Sequence, residues 1–120
     1  GWQKHPWEVV RQDIKKVSAL LLTSSFEGFP MTLLESMSWG IPCISADCVS
    51  GPGDIIQPDV NGHLYQPGDI AGFVTLLNKY IAGEIHIEHE KIPASIDKFY
   101  QSKYYDRLHN IIISAISRRK

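Results

Sequence analysis

Two glutamates, Glu27 and Glu35, stand in the segment SSFEGFPMTLLESMSWGIP at 24–42, with seven uncharged residues between them. A carboxylate accepts hydrogen bonds from two neighbouring hydroxyl groups, such as those of a ribose or a hexose. Two carboxylates can therefore hold two sugars on either side of a diphosphate. The spacing also fits a simpler interpretation, in which Glu35 complements the N-terminus of a helix and Glu27 is a solvated loop charge.

The two glutamates flank a predicted junction between a strand and a helix. The run VSALLLT at 17–23 is short and apolar, which is typical of a strand buried on both faces, and its carboxyl end leads to Glu27. Pro30 supplies a favourable first position for a helix, and Gly40 suits the position after its last turn. Glu35 is therefore predicted to lie about one turn inside the helix.

The start of this helix is predicted to bind an anion. Phe29 precedes Pro30 and has no side-chain oxygen that could cap the helix. We therefore expect the backbone amides of Met31, Thr32 and Leu33 to be free for an external ligand. Together with the helix dipole, such amides favour a diphosphate, and they need no metal ion to do so.

Strands and helices alternate along the rest of the chain. We predict parallel strands at 17–23, 41–46 and 63–66, separated by helices. The helix that Asp69 caps has one apolar face, formed by Ile70, Phe73, Val74, Leu77 and Ile81. This order predicts the α/β class, built from right-handed βαβ units, and three strands make only a partial doubly wound sheet.

The C-terminal part is predicted to form one long helix, roughly at 95–117, after a charged connector at 84–91. Its apolar stripe consists of Ile96, Phe99, Tyr100, Leu108, Ile111, Ile112, Ala115 and Ile116. We expect this stripe to be exposed unless another chain or the sheet covers it. The helix is therefore a candidate surface for association.

The residues around the two glutamates, EGFPMTLLESMSWGIPCIS, resemble the Glu-x7-Glu signature of retaining glycosyltransferases of the GT-B fold, family 4. The resemblance extends to NGHLYQPGD, which is similar to the family's turn, strand and step into the next helix. It implies that residues 1–92 form part of a Rossmann-like nucleotide-sugar-binding domain, the C-terminal half-domain of such an enzyme. Residues 93–120 would form its C-terminal helix.

The resemblance also implies roles for single residues. In the family, the first glutamate lies near the transferred sugar and the second binds the nucleotide ribose, which implies a catalytic role for Glu27 and ribose binding for Glu35. The donor-binding residues that it implies are Glu27, Gly28, Phe29, Pro30, Met31, Thr32, Leu33 and Glu35. The UDP-sugar is a substrate, and neither a metal ion nor another cofactor is expected.

Further similarity, in GIPCIS, SGP and DIIQP, is to family members that extend the lipopolysaccharide core with galactose. It implies UDP-galactose as donor, a lipopolysaccharide core acceptor, and a cytoplasmic location, including the cytoplasmic face of the bacterial inner membrane. The formal net charge of -1 provides no general field that would attract nucleic acid or an anionic membrane. No nucleic acid is expected as a partner, and any membrane contact is expected to be weak and peripheral.

The basic residues that clamp the donor diphosphate in this family lie well upstream of the first glutamate. Here Lys4, Arg11, Lys15 and Lys16 precede Glu27, and none matches the family's context. We therefore expect the chain to be a piece of a longer enzyme that is inactive alone. Two other classes stay open: a non-catalytic nucleotide-binding or regulatory module, and a sugar-phosphate isomerase or epimerase, which would need a catalytic histidine that no motif identifies.

Several other side chains are assigned structural roles. Cys43 and Cys48 are predicted to be reduced thiols. His86 and His89 fall in the charged connector, where a solvated stretch is favoured over a metal site. Trp39 is predicted to pack in the core rather than to stack on a sugar.

Overall fold

The structure is a computed structural model, and it describes residues 17–117. Its centre is a three-stranded sheet in the order β1 (Leu20–Leu22), β2 (Cys43–Ala46) and β3 (Gly62–Tyr65). Both neighbouring pairs are parallel, with Leu20 opposite Cys43 and Ile44 opposite His63. The predicted parallel α/β arrangement is confirmed, and β1 is shorter than the predicted strand at 17–23.

Helices connect and follow the strands in the described part of the chain. They are α1 (Met31–Ser38), α2 (Pro52–Ile55), α3 (Ile70–Ile81), α4 (Ile92–Ser95) and α5 (Gln101–Ser117), with 3-10 turns at His89–Lys91 and Asp97–Phe99. The side chain of Asp69 accepts a hydrogen bond of 2.8 Å from the amide of Gly72, so the predicted cap of α3 is confirmed.

The core lies between the sheet, α1 and the segment that leads to the C-terminal helix. All four residues of β2 are buried. The buried apolar cluster consists of Leu33, Met37, Cys43, Ile55, Ile56, Ile87, Ile92 and Ile96. The connector at 84–91, predicted to be a solvated charged stretch, thus contributes Ile87, because one apolar side chain in a charged segment is enough to anchor it to a core.

The single helix predicted for 95–117 is wrong in its first part. Helix α4 ends at Ser95, a 3-10 turn follows, and Tyr100 has an extended backbone with φ -67° and ψ 143° before α5 begins. Ile96, at this break, is 98% buried and belongs to the core cluster. The long C-terminal helix itself is confirmed from Gln101 onwards.

The described members of the apolar stripe on α5 are exposed as expected, with Leu108 at 40%, Ile111 at 63% and Ile112 at 49% exposure. Helix α3 shows a similar pattern, since none of its residues is buried and Ile70 and Ile81 are largely exposed. The predicted core position of Trp39 is wrong. Trp39 follows the last residue of α1 and is 43% exposed, whereas Met37 is fully buried.

The two cysteines are free and buried, as predicted for thiols without a disulfide. Burial raises the pKa of the Cys43 thiol to about 12, and a hydrogen bond with Ser36 opposes this only in part. Cys43 is therefore a protonated core residue at neutral pH rather than a nucleophile.

Candidate functional site

The predicted donor-binding residues lie at the carboxyl end of the parallel sheet. The loop that contains Glu27 and Gly28 follows β1, and the loop at 47–51 follows β2. Loops at this edge of a parallel α/β sheet form the usual ligand site, because the N-termini of the following helices point there. Glu27 is half-buried in the loop, and Glu35 lies exposed on the second turn of α1.

The start of α1 differs from the predicted arrangement. Pro30 is the N-cap, with φ -78° and ψ 84°, and Met31 is the first helical residue. As predicted, no side chain caps this end. The expectation of three free amides is wrong for two of them. The Met31 amide donates to the Phe29 carbonyl (2.9 Å) and the Leu33 amide to the Pro30 carbonyl (3.0 Å), because a tight turn closes here.

Thr32 remains as the expected anion donor in this turn. Among the hydrogen bonds of the described residues, its amide donates to no carbonyl outside the helix and to no side chain. It is the second residue of an eight-residue helix, where the dipole favours negative charge. Of the three amides expected to be free, only that of Thr32 makes no such hydrogen bond in the described part of the chain.

A second loop holds the Glu27 loop in place. The Ser50 hydroxyl lies 2.7 Å from the carbonyl oxygen of Glu27 and 3.4 Å from that of Gly28. Gly51 has φ 97°, and a Cβ atom at this position would collide with Pro30. The contact joins residues 23 positions apart and has no local signature in the sequence.

The C-terminal segment reaches the same loop from the other side. The rings of Phe29 and Phe99 pack at a centroid distance of 5.9 Å and an interplanar angle of 59°. The Lys98 ammonium group lies 4.8 Å from the Phe99 ring centroid and donates to the Asp54 carbonyl at 3.1 Å. The Glu27 loop is thus packed between the loop at 47–51 and the turn that precedes α5.

A cavity of about 210 Å³ lies beside Glu35. Its lining is mainly apolar and consists of Met31, Leu34, Glu35, Ser38, Ile96, Phe99 and Tyr100. A larger cavity of about 630 Å³ is lined by Val17, Ser18 and side chains of α3, and it contains none of the predicted donor residues. The larger cavity lies near the amino end of β1, whereas the smaller one runs along α1 and includes Met31 from the first turn of this helix.

Lys4, Arg11, Lys15 and Lys16 lie outside the described residues. Between 17 and 117, no group of three or more His, Cys, Asp or Glu side chains is arranged to hold a metal ion. In the same range, no helix combines the length and the hydropathy that crossing a bilayer requires.

The fold and the loop define this chain as part of a GT-B glycosyltransferase, and it belongs to the family of glycosyl transferases group 1, which matches residues 2–99. It is 91% identical over 120 residues to the lipopolysaccharide 1,6-galactosyltransferase of Escherichia coli (strain K12), covering 100% of this chain and 33% of that protein. The lipopolysaccharide 1,6-galactosyltransferase of Salmonella typhimurium (strain LT2) is 57% identical over 118 residues, covering 98% of this chain and 33% of that protein.

A solved structure supports the same placement. The apo form of the lipopolysaccharide outer core galactosyltransferase WaaB matches with a TM-score of 0.89 at 58% identity, covering 96% of this chain and 32% of that one. The chain thus spans about a third of the length of the relatives that it matches.

Proposed function

We propose that this chain is the donor-binding part of a retaining hexosyltransferase that moves galactose from UDP-galactose to the lipopolysaccharide core. The observation that carries the proposal is the 91% identity, along the whole chain, to a protein named as a lipopolysaccharide 1,6-galactosyltransferase. The Glu27 loop at the carboxyl edge of the sheet supports it, because this edge is where a nucleotide sugar would meet both glutamates.

The two glutamates take different roles in this proposal. Glu35, on α1 beside the cavity of about 210 Å³, accepts hydrogen bonds from the ribose hydroxyl groups. Glu27, in the loop, lies against the transferred hexose. The diphosphate is placed between them at the start of α1, where the Thr32 amide and the helix dipole favour negative charge.

The proposed reaction breaks the bond between the anomeric carbon and the UDP oxygen, and the bonding electron pair leaves with UDP. A new bond forms between that carbon and an acceptor hydroxyl oxygen, and the hydroxyl proton leaves with the departing phosphate. Positive charge on the sugar and negative charge on the diphosphate grow together in the transition state. The carboxylate of Glu27 stabilises the first and the start of α1 the second, with no metal ion proposed.

The rest of the longer protein would supply the acceptor site and the basic diphosphate clamp. We propose that this acceptor is the lipopolysaccharide core, and that transfer takes place in the cytoplasm or at the cytoplasmic face of the inner membrane. The part described here is proposed to be inactive by itself.

The test uses the full-length protein and the substitutions Glu27→Gln and Glu35→Gln, with Glu84→Gln, an exposed glutamate beyond α3, as the matched control. Glu35→Gln should weaken UDP binding about 10- to 100-fold, since it removes a charged acceptor of hydrogen bonds in the ground state and the transition state. Glu27→Gln should chiefly lower kcat, because its interaction develops with the transferred sugar. Calorimetry with UDP and steady-state rates with UDP-galactose and UDP-glucose measure these effects.

Several outcomes would contradict the proposal. If the parent bound UDP but transferred no hexose, the chain would belong to a non-catalytic nucleotide-binding module. If both glutamine variants bound and turned over like the Glu84→Gln control, the two glutamates would be structural. If the protein preferred UDP-glucose to UDP-galactose, it would still be a hexosyltransferase, but the proposed donor would be wrong.

A further inference from the structure

The Ser50 hydroxyl joins the two loops at the carboxyl edge of the sheet. It lies 2.7 Å from the Glu27 carbonyl oxygen and 3.4 Å from the Gly28 carbonyl oxygen. A hydroxyl has one proton to donate, so the shorter contact is the main hydrogen bond and the second carbonyl shares it weakly. Two successive carbonyls therefore point to one side chain, which fixes the peptide between Glu27 and Gly28.

The Glu27 loop needs such a fixed point. Gly28 is exposed, and a Cβ atom there would meet nothing within 4 Å, so packing does not restrict this residue. Glycine is also the residue with the largest range of backbone conformations. Without the Ser50 contact, the backbone beside Glu27 could rotate and carry the carboxylate with it.

We propose that Ser50 is a positioning residue for sugar transfer, whose hydroxyl fixes the Glu27 backbone so that the carboxylate faces the transferred hexose. This inference rests on the proposed function. Within residues 17–117, the hydroxyl donates only to the carbonyls of Glu27 and Gly28, and it makes no hydrogen bond to α1, which carries Glu35. It therefore affects the chemical step and leaves the affinity for UDP unchanged.

The experiment measures kcat with UDP-galactose and the dissociation constant of UDP for the full-length protein with Ser50→Ala and Ser50→Thr. Ser50→Ala should lower kcat about three- to tenfold, the range that corresponds to one neutral hydrogen bond, with UDP affinity within about twofold of the parent. Ser50→Thr keeps the hydroxyl on an exposed side chain and should restore kcat to within about twofold.

Thr75→Ala is the matched control. It removes another exposed hydroxyl that donates to a backbone carbonyl, that of Ala71 at 2.9 Å, on α3. It should leave both kcat and UDP affinity unchanged. Thermal melting of each variant verifies that the protein is folded.

Three results would overturn the inference. These are parental kcat in Ser50→Ala, an equal loss in Ser50→Thr and Ser50→Ala, or a joint loss of kcat and UDP affinity. Glu27→Gln, measured in parallel, separates this failure from failure of the proposed function. If kcat falls in Glu27→Gln but not in Ser50→Ala, only the positioning role of Ser50 is rejected. If kcat of Glu27→Gln equals that of the parent, the proposed role of Glu27 and the positioning role of Ser50 are both rejected.

Discussion

Two polar corners lie at opposite ends of the same parallel sheet. At the amino end of β3, the Asn61 side chain is fully buried, and its Nδ2 atom donates to the Ile55 carbonyl (3.1 Å) and the Ser95 hydroxyl (2.8 Å). Its Oδ1 atom accepts from the Gln57 amide at 2.7 Å. At the carboxyl end of β1, the Glu27 loop is largely exposed and is held by the Ser50 hydroxyl.

The region around Asn61 stabilises the fold, whereas the Glu27 loop is the proposed binding site. Around Asn61, the polar side-chain atoms meet partners inside the protein, so this corner rigidifies the fold and offers nothing to a ligand. The Glu27 loop is exposed over most of its length, and in the proposed function its carboxylate and the Thr32 amide bind the substrate. Substitutions at the first corner should therefore change folding, and those at the second should change turnover.

The largest expected effect comes from Asn61→Ala in the full-length protein. It leaves the Ile55 carbonyl, the Gln57 amide and the Ser95 hydroxyl without their partner, so the free energy of unfolding should fall by about 2–4 kcal/mol. Urea denaturation measures the change, with the exposed Asn78→Ala on α3 as control. A loss of kcat in a fully folded Asn61→Ala protein would contradict the assignment of Asn61 to stability alone.

The next effect, from Gly51→Ala, tests the contact between the two loops. Gly51 has φ 97°, and a Cβ added there would collide with Pro30. We therefore expect the free energy of unfolding to fall by about 2 kcal/mol and kcat to be lower. Gly83→Ala is the matched control, because Gly83 has φ 70° but open space around it, and should cost about 1 kcal/mol with kcat unchanged. Equal effects of the two substitutions on kcat would argue against a role for the contact in turnover.

The smallest effect is expected from Phe99→Leu, which keeps an apolar side chain but removes the ring that packs on Phe29. The free energy of unfolding should fall by about 1 kcal/mol and kcat by about two- to fivefold, because the loop loses one of its two supports. Phe73→Leu removes a comparable ring contact with Tyr65, at 4.9 Å, and should change stability alone. If the two variants had the same kcat, Phe99 would support only the core.

The sequence predicted the elements whose signals are local. The apolar runs and the glycine and proline signals were enough for three parallel strands and for the helix that carries Glu35. Contacts between distant segments were missed, because no single segment records its partner. Asn61 was predicted only as a turn residue, although its side chain reaches Ser95, 34 positions further along.

The errors at the site and at the C-terminus have the same origin. Three free amides were expected at the start of α1, but the turn at Phe29 and Pro30 engages two of them, and its geometry depends on contacts with Ser50 and Gly51. The helix from residue 95 was predicted from the periodicity of apolar residues. That pattern does not include the free energy gained by burying Ile96 in the core. In both cases tertiary contacts outweighed a local preference.

The buried hydrogen bonds of Asn61 also affect how fast this residue deamidates. An asparagine followed by a glycine is prone to deamidation, in which the next backbone nitrogen attacks the side-chain amide carbon. Here the amide is held by three hydrogen bonds, and Gly62 is fixed in β3 opposite Cys43. The backbone nitrogen can attack the amide only after this end of the sheet unfolds locally. The rate at which Asn61 converts to aspartate therefore measures how often this local unfolding occurs.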